Sequence, residues 1–128
     1  MYTEYISAEE SNRLEIRVGR ILDAKPFLNA RKPAYKLLID FGEAGIKKSS
    51  AQITKLYTVD DLVGKQVAAV MNLSPKQIAD FISEVLVLGV ETEEGVVLLK
   101  LDKAVPDGTK ISYLYFREVP IDKTNLFI

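Results

Sequence analysis

The 128 residues include no histidine, no cysteine and no tryptophan. Without histidine the chain lacks the commonest general base and the commonest metal ligand near neutral pH. Without cysteine it has no disulfide, no thiolate nucleophile and no thiolate metal site, which says little about compartment. The glycines fit no phosphate-loop spacing. No apolar run approaches the roughly 20 residues of a membrane-spanning helix. The start, Met1-Tyr2-Thr3-Glu4-Tyr5, carries neither the basic end nor the apolar stretch of a secretory leader. These absences lead us to expect a soluble, cytoplasmic protein without membrane insertion.

Catalysis finds no constellation either. Ser49, Ser50 and Ser83 have no histidine to activate them. The paired carboxylates Asp60-Asp61 and Glu93-Glu94 are sequence neighbours, which point apart on a helix or turn and read as solvated surface. The expectation is a protein that is not an enzyme and needs no cofactor or metal.

What is present is a substantial core and an uneven charge distribution. At 48% hydrophobic, the chain can bury the core of one domain, 1–128. The net charge of −1 conceals two opposed stretches. Between Arg13 and Lys48, nine basic residues face four acids; between Asp80 and Asp107, seven acids face two lysines. A basic half on a nearly neutral protein is either ordinary solvated surface or an anion footprint.

The chain reads as short strands. Ser7-Ala8-Glu9-Glu10 is a capping box that predicts a helix over 7–13. Leu14, Ile16 and Val18 alternate with charged residues, and the apolar phase slips at Gly19, which predicts a bulge or bend. Lys25 to Ala34 reads as a loop with Arg31 and Lys32 at its tip. Tyr35 to Gly42 alternates as a second strand, and Gly42-Glu43-Ala44-Gly45 is a turn with glycines for positive φ. Ile46 to Ile53 is a third strand spent on lysine, serine and glutamine, which marks it as the centre of a binding face. Thr54 to Leu62 looks helical, with a second capping pattern at Thr58 and a stop at Gly64. Gln66 to Leu73 is a fourth strand. Ser74-Pro75-Lys76-Gln77 predicts one or two helical turns to Phe81. Ser83 to Val90 and Gly95 to Leu101 read as two further strands about a turn, and Ile111 to Phe116 as a last one. The sum is a mainly β, five-stranded Greek-key barrel of the oligonucleotide/oligosaccharide-binding (OB) type over about 14–111. It has a short helix between strands three and four and extensions at both ends.

The candidate ligand groups are polar residues on these strands and at their ends. They are Arg31, Lys32 and Lys36, then Lys47, Lys48, Ser50 and Gln52, then Asn72, Lys76, Gln77, Phe81, Ser83 and Glu84. Hydroxyls and amides can pair with base edges or a peptide backbone, and lysines with phosphates or carboxylates. Asn72 and Ser83 can equally be residues that only tie down turns.

The runs Leu14–Ile21, Ala30–Leu37, Ile39–Gly42, Ile46–Ile53, Pro75–Ala79 and Ser83–Gly89 resemble the CsaA family, within the tRNA-binding-domain class of the OB fold. Lys-Lys-Ser-Ser-Ala-Gln-Ile and Ser-Glu-Val-Leu-Val-Leu-Gly are the most specific of them. The resemblance implies a homodimer with a barrel groove, tied to tRNA-type structured RNA. In the CsaA branch it also implies unfolded, export-competent proteins and the export machinery. The chain departs from the family in Asp80-Phe81-Ile82, where glycine commonly precedes the phenylalanine and a basic residue often follows it. A tail at 113–128 is not explained by the resemblance. Its Tyr113, Tyr115, Phe116, Leu126 and Phe127, with the 7–13 helix, are the expected dimer interface, because a monomer rarely tolerates so large an apolar patch.

Overall fold

The computed structural model describes residues 3–112. It opens with α1 (Ala8–Asn12), whose capping box forms as the sequence predicts. The Ser7 hydroxyl accepts the Glu10 N–H at 3.0 Å, and the Glu10 carboxylate reaches back to the Ser7 N–H at 3.4 Å. The main sheet contains β1 (Ile16–Pro26), β2 (Tyr35–Asp40), β3 (Ile46–Ala51), β4 (Gln66–Val70) and β7 (Leu86–Val87). Their spatial order is β3-β2-β1-β4-β7, with β10 (Lys110–Ile111) beside the start of β1. The long β1 pairs with β4 through Ile16–Arg20 and with β2 through Arg20–Pro26, so one bent strand serves both halves. This is the nearly closed, mainly β barrel expected of the OB fold.

The bend is not where the apolar phase places it. The register with β2 slips between Ile21 and Asp23, which makes Leu22 the bulged residue rather than Gly19. Gly19 answers to a different constraint. A Cβ there would stand 2.6 Å from Ile39 Cγ2 inside the barrel, so the position admits only hydrogen.

The core fills the barrel with Ile21, Leu37, Ile39, Phe41, Val67, Ala69 and Val85. The helix between β3 and β4 is shorter than expected, α2 (Val59–Leu62), capped by Thr58 and Asp61. It inserts fully buried Leu62 into the same cluster. The turn after β2 is a 3-10 turn over Gly42–Ala44.

Two further expectations are corrected. Ser74-Pro75-Lys76-Gln77 does not start a helix. β5 (Lys76–Ile78) pairs antiparallel with β6 (Phe81–Ser83) around a turn in which Ala79 has φ 52°. A capping box stabilises only a first turn, and so few residues fall far short of the length at which helix propagation offsets nucleation. Nor is Ser83–Val90 one strand. It breaks into the end of β6, then β7, then β8 (Gly89–Thr92), which leaves the barrel to pair with β9 (Gly95–Leu98). The break occurs where Glu84 and Val85 turn their amides to the Lys48 carbonyl, at 2.8 and 3.4 Å. That is how the sheet closes: β3 is not laddered to β7 but held to the 83–85 segment. The expected run Ile111–Phe116 is strand at Lys110–Ile111, and 113–128 lies outside the described residues.

Candidate nucleic-acid interface

Alternation along β3 splits its polar residues between two faces. Ser49 and Ala51 point into the barrel and are buried, while Ser50 and exposed Lys48 point outward. Lys47 shares the inward phase with Ser49 and lies half-buried near the strand's start. The two adjacent lysines therefore project from opposite faces of the strand.

Outward on β2 stand Lys36 and Leu38, opposite Ser50 and Lys48 in register. Lys36 and Lys48 are thus diagonal neighbours on one face. Their ammonium groups converge on Phe81 of β6. Lys36 Nζ lies 5.4 Å and Lys48 Nζ 5.6 Å from its ring centroid. Phe81 in turn meets Phe27 edge to face, centroids 5.5 Å apart and planes at 68°. Lys36 Nζ also stands 4.7 Å from the Phe27 centroid. Phe27 was not among the residues read from the sequence. It sits in the loop after β1, buried, with its N–H donating to the Ala34 carbonyl at 3.0 Å. An apolar residue within a loop is the signal that could have found it. Beside this cluster the Asn29 amide donates to the Asp80 carboxylate at 3.3 Å. That bond, the backbone and the nearby charge of Lys36 hold the Asp80 carboxyl below the usual carboxylate range.

A cleft of about 500 Å³ runs past the end of β3 beyond this cluster. Ser50, Gln52, Lys76, Ser83 and Glu84 line it, over a floor that includes Ile53, Val87, Val96 and Leu98. A smaller cleft adjoins it through Gln52, Glu91 and Val96 and brings in Lys32 and Lys55. Arg31 is exposed at the loop tip.

Several of the candidate polar groups already have partners within the protein. The Ser83 hydroxyl accepts the Ser50 N–H at 2.9 Å. The Glu84 carboxylate accepts the Lys48 N–H at 3.0 Å. Asn72 accepts from Glu15 N–H at 2.9 Å and donates to the Arg13 carbonyl at 2.6 Å. The Gln77 amide donates to the Ala79 carbonyl at 3.1 Å. Ser83 and Glu84 thus tie the 83–85 segment to β3, Gln77 shapes the β5–β6 hairpin, and Asn72 joins the end of β4 to the stretch before β1. Replacing Ser83 by alanine strands the half-buried Ser50 amide and is expected to lower stability by about 1–2 kcal/mol. Urea unfolding reads that loss, and ligand affinity per folded molecule should change less than twofold. A tenfold affinity loss at unchanged stability would reverse this assignment. The expected interface residues Tyr113, Tyr115, Phe116, Leu126 and Phe127 lie outside the described residues.

Among the described residues no helix is long and apolar enough to cross a membrane. A sequence profile for the family described as "Putative tRNA binding domain" matches residues 16–110. A methionine–tRNA ligase of Thermococcus onnurineus is 34% identical over 108 residues, covering 84% of this chain and 14% of the ligase. The chain therefore spans about a seventh of that relative's length. Two solved structures are closer in size. The CsaA chaperone of Picrophilus torridus superposes with a TM-score of 0.80 at 50% identity, covering 84% of this chain and all of the other. The chaperone CsaA of Bacillus anthracis gives 0.80 and 50% over 85% of this chain and all of the other.

Proposed function

The chain belongs to the CsaA branch of the tRNA-binding domain family, and from that premise we propose that it is a non-catalytic module that binds structured RNA such as tRNA. The observation that carries this reading is the convergence of Lys36 and Lys48 on Phe81, on the outer face of β2 and β3. Ammonium groups beside an aromatic surface suit a nucleotide chain, which offers phosphates and π-faces at regular spacing. Lys76 on the cleft rim, Arg31 and Lys32 extend the positive footprint, while Lys47 lies outside it.

The module acts in the cytoplasm as a homodimer, whose two faces together compensate for weak single-face binding. Exposed Tyr5, Ile6, Leu14 and Ile111 around α1 and β10 support an apolar subunit contact there. Light scattering should give about 29 kDa, twice the 14.3 kDa of one chain. A particle of one chain's mass at micromolar concentration would remove the dimer from the proposal.

A second reading rests on the cleft. Its apolar floor and polar rim suit an extended polypeptide, the ligand of a chaperone of export-competent proteins. Titration of tRNA at several salt concentrations separates the two. Three phosphate contacts give a slope of log K against log salt of about −2. A flat response to tRNA, with tight binding of an unfolded peptide and a negative heat-capacity change, would establish the peptide reading instead.

A further inference from the structure

Lys36 and Lys48 bring two positive charges to one aromatic ring, where the like charges repel each other. The remaining group is Asp80, at the tip of the β5–β6 hairpin beside Phe81. Two contacts fix that tip against the loop after β1: Phe27 on Phe81, and Asn29 on Asp80. Because Asn29 follows Phe27 by two residues and Asp80 adjoins Phe81, the pair of contacts holds the carboxylate at one edge of the cluster. Neither lysine forms a direct ion pair with it; the ion pairs among the described residues are Arg17–Glu15, Arg20–Asp107 and Lys25–Asp23. Asp80 therefore lowers the local potential without covering either ammonium group.

We propose that Asp80 is a resident counter-ion of the Lys36/Lys48–Phe27/Phe81 cluster and selects for ligands that present several phosphates at once. This inference rests on the RNA reading for its biological ligand, though its physical claim concerns phosphate alone. Its negative charge weakens the pull of Lys36 on any single phosphate, so a free phosphate monoester does not hold the site by that contact alone. A polynucleotide, contacting Lys76 and the loop cations in the same event, does.

The test is Asp80→Asn, which keeps the shape and can still bond to Asn29, set against the parent and Asn29→Ala. Two probes are used: total tRNA titrated at several salt concentrations, and inorganic phosphate followed by the amide NMR shifts of Lys36, Lys48 and Phe81. Asp80→Asn should bind tRNA roughly two- to fivefold more tightly at low salt, with the gain shrinking as salt rises. It should also respond to phosphate at roughly two- to fivefold lower concentration than the parent. Asn29→Ala, which loosens the hairpin but keeps the charge, should stay near the parent in both. Unchanged phosphate response in Asp80→Asn overturns the inference, and so does an equal gain in Asn29→Ala, which would make the effect one of loop mobility. If neither variant nor parent binds tRNA, the RNA reading fails while the phosphate titration still decides the role of Asp80.

Discussion

Gly108→Ala is expected to lose about 2–5 kcal/mol, a large part of the stability of a chain this size. Gly108 has φ +92°, where an L side chain is strained by about 1–3 kcal/mol. Its Cβ would also run into the carbonyl oxygen of Phe41, and Gly42 stands in the reciprocal position against the Asp107 carbonyl. The two backbones cross in contact at that point. The loop cannot retreat, because the Gly108 N–H donates to the Val18 carbonyl at 2.7 Å and its carbonyl accepts from Arg17 Nη1 at 2.8 Å. The Val18 N–H donates to Thr109 at 2.9 Å in the same stretch. Crowding of backbone against backbone therefore adds about 1–3 kcal/mol to the strain. Gly64→Ala is the natural comparison, with φ +90° and nothing within 4 Å of its Cβ. It should show the conformational strain alone, about 1–3 kcal/mol. Equal losses for the two variants in urea unfolding would mean that the close approach contributes nothing.

The second large effect concerns binding. Joint replacement of Lys36 and Lys48 by alanine should weaken tRNA binding about tenfold to thirtyfold, two solvent-facing contacts of up to about 1 kcal/mol each being lost. The salt slope should fall by about 1.4, the share of two phosphates on a single strand. Lys47→Ala should leave both quantities near the parent, since strand alternation turns Lys47 to the other face. The comparison is internal: the two adjacent lysines have the same charge and chemistry, and only their orientation differs. If Lys47→Ala costs as much as Lys48→Ala, the outer face of β2 and β3 is not the RNA surface.

Four of the candidate polar residues share one property. Asn72, Gln77, Ser83 and Glu84 are polar, at strand ends, and suited to a ligand by type. Each also satisfies a backbone group within the fold: Ser83 and Glu84 along the closing seam with β3, Asn72 between the end of β4 and the stretch before β1, and Gln77 inside the β5–β6 hairpin. At the seam the half-buried Ser50 amide would be costly to leave without a partner, and the Ser83 hydroxyl supplies one. Nothing local marks them, because Ser50 and Ser83 meet only when β3 and the 83–85 segment come together.

What the sequence determined alone is what depends on a few neighbouring residues. The caps of α1 and α2 follow from Ser7 with Glu10 and Thr58 with Asp61. The alternation of Tyr35–Asp40 sets which side chains of β2 face the core, and the specific runs along the chain identify the family. The tertiary structure decided the rest. It made a hairpin of 76–83, where pairing with a neighbouring segment outweighed a cap that stabilises a single turn. It brought Phe27 against Phe81 and Asn29 against Asp80 from loops distant in sequence. It turned Lys48 toward that cluster and Lys47 away from it. Capping and strand phase are short-range and act along the chain, whereas the free energy of a binding face depends on groups that only closure of the barrel places side by side.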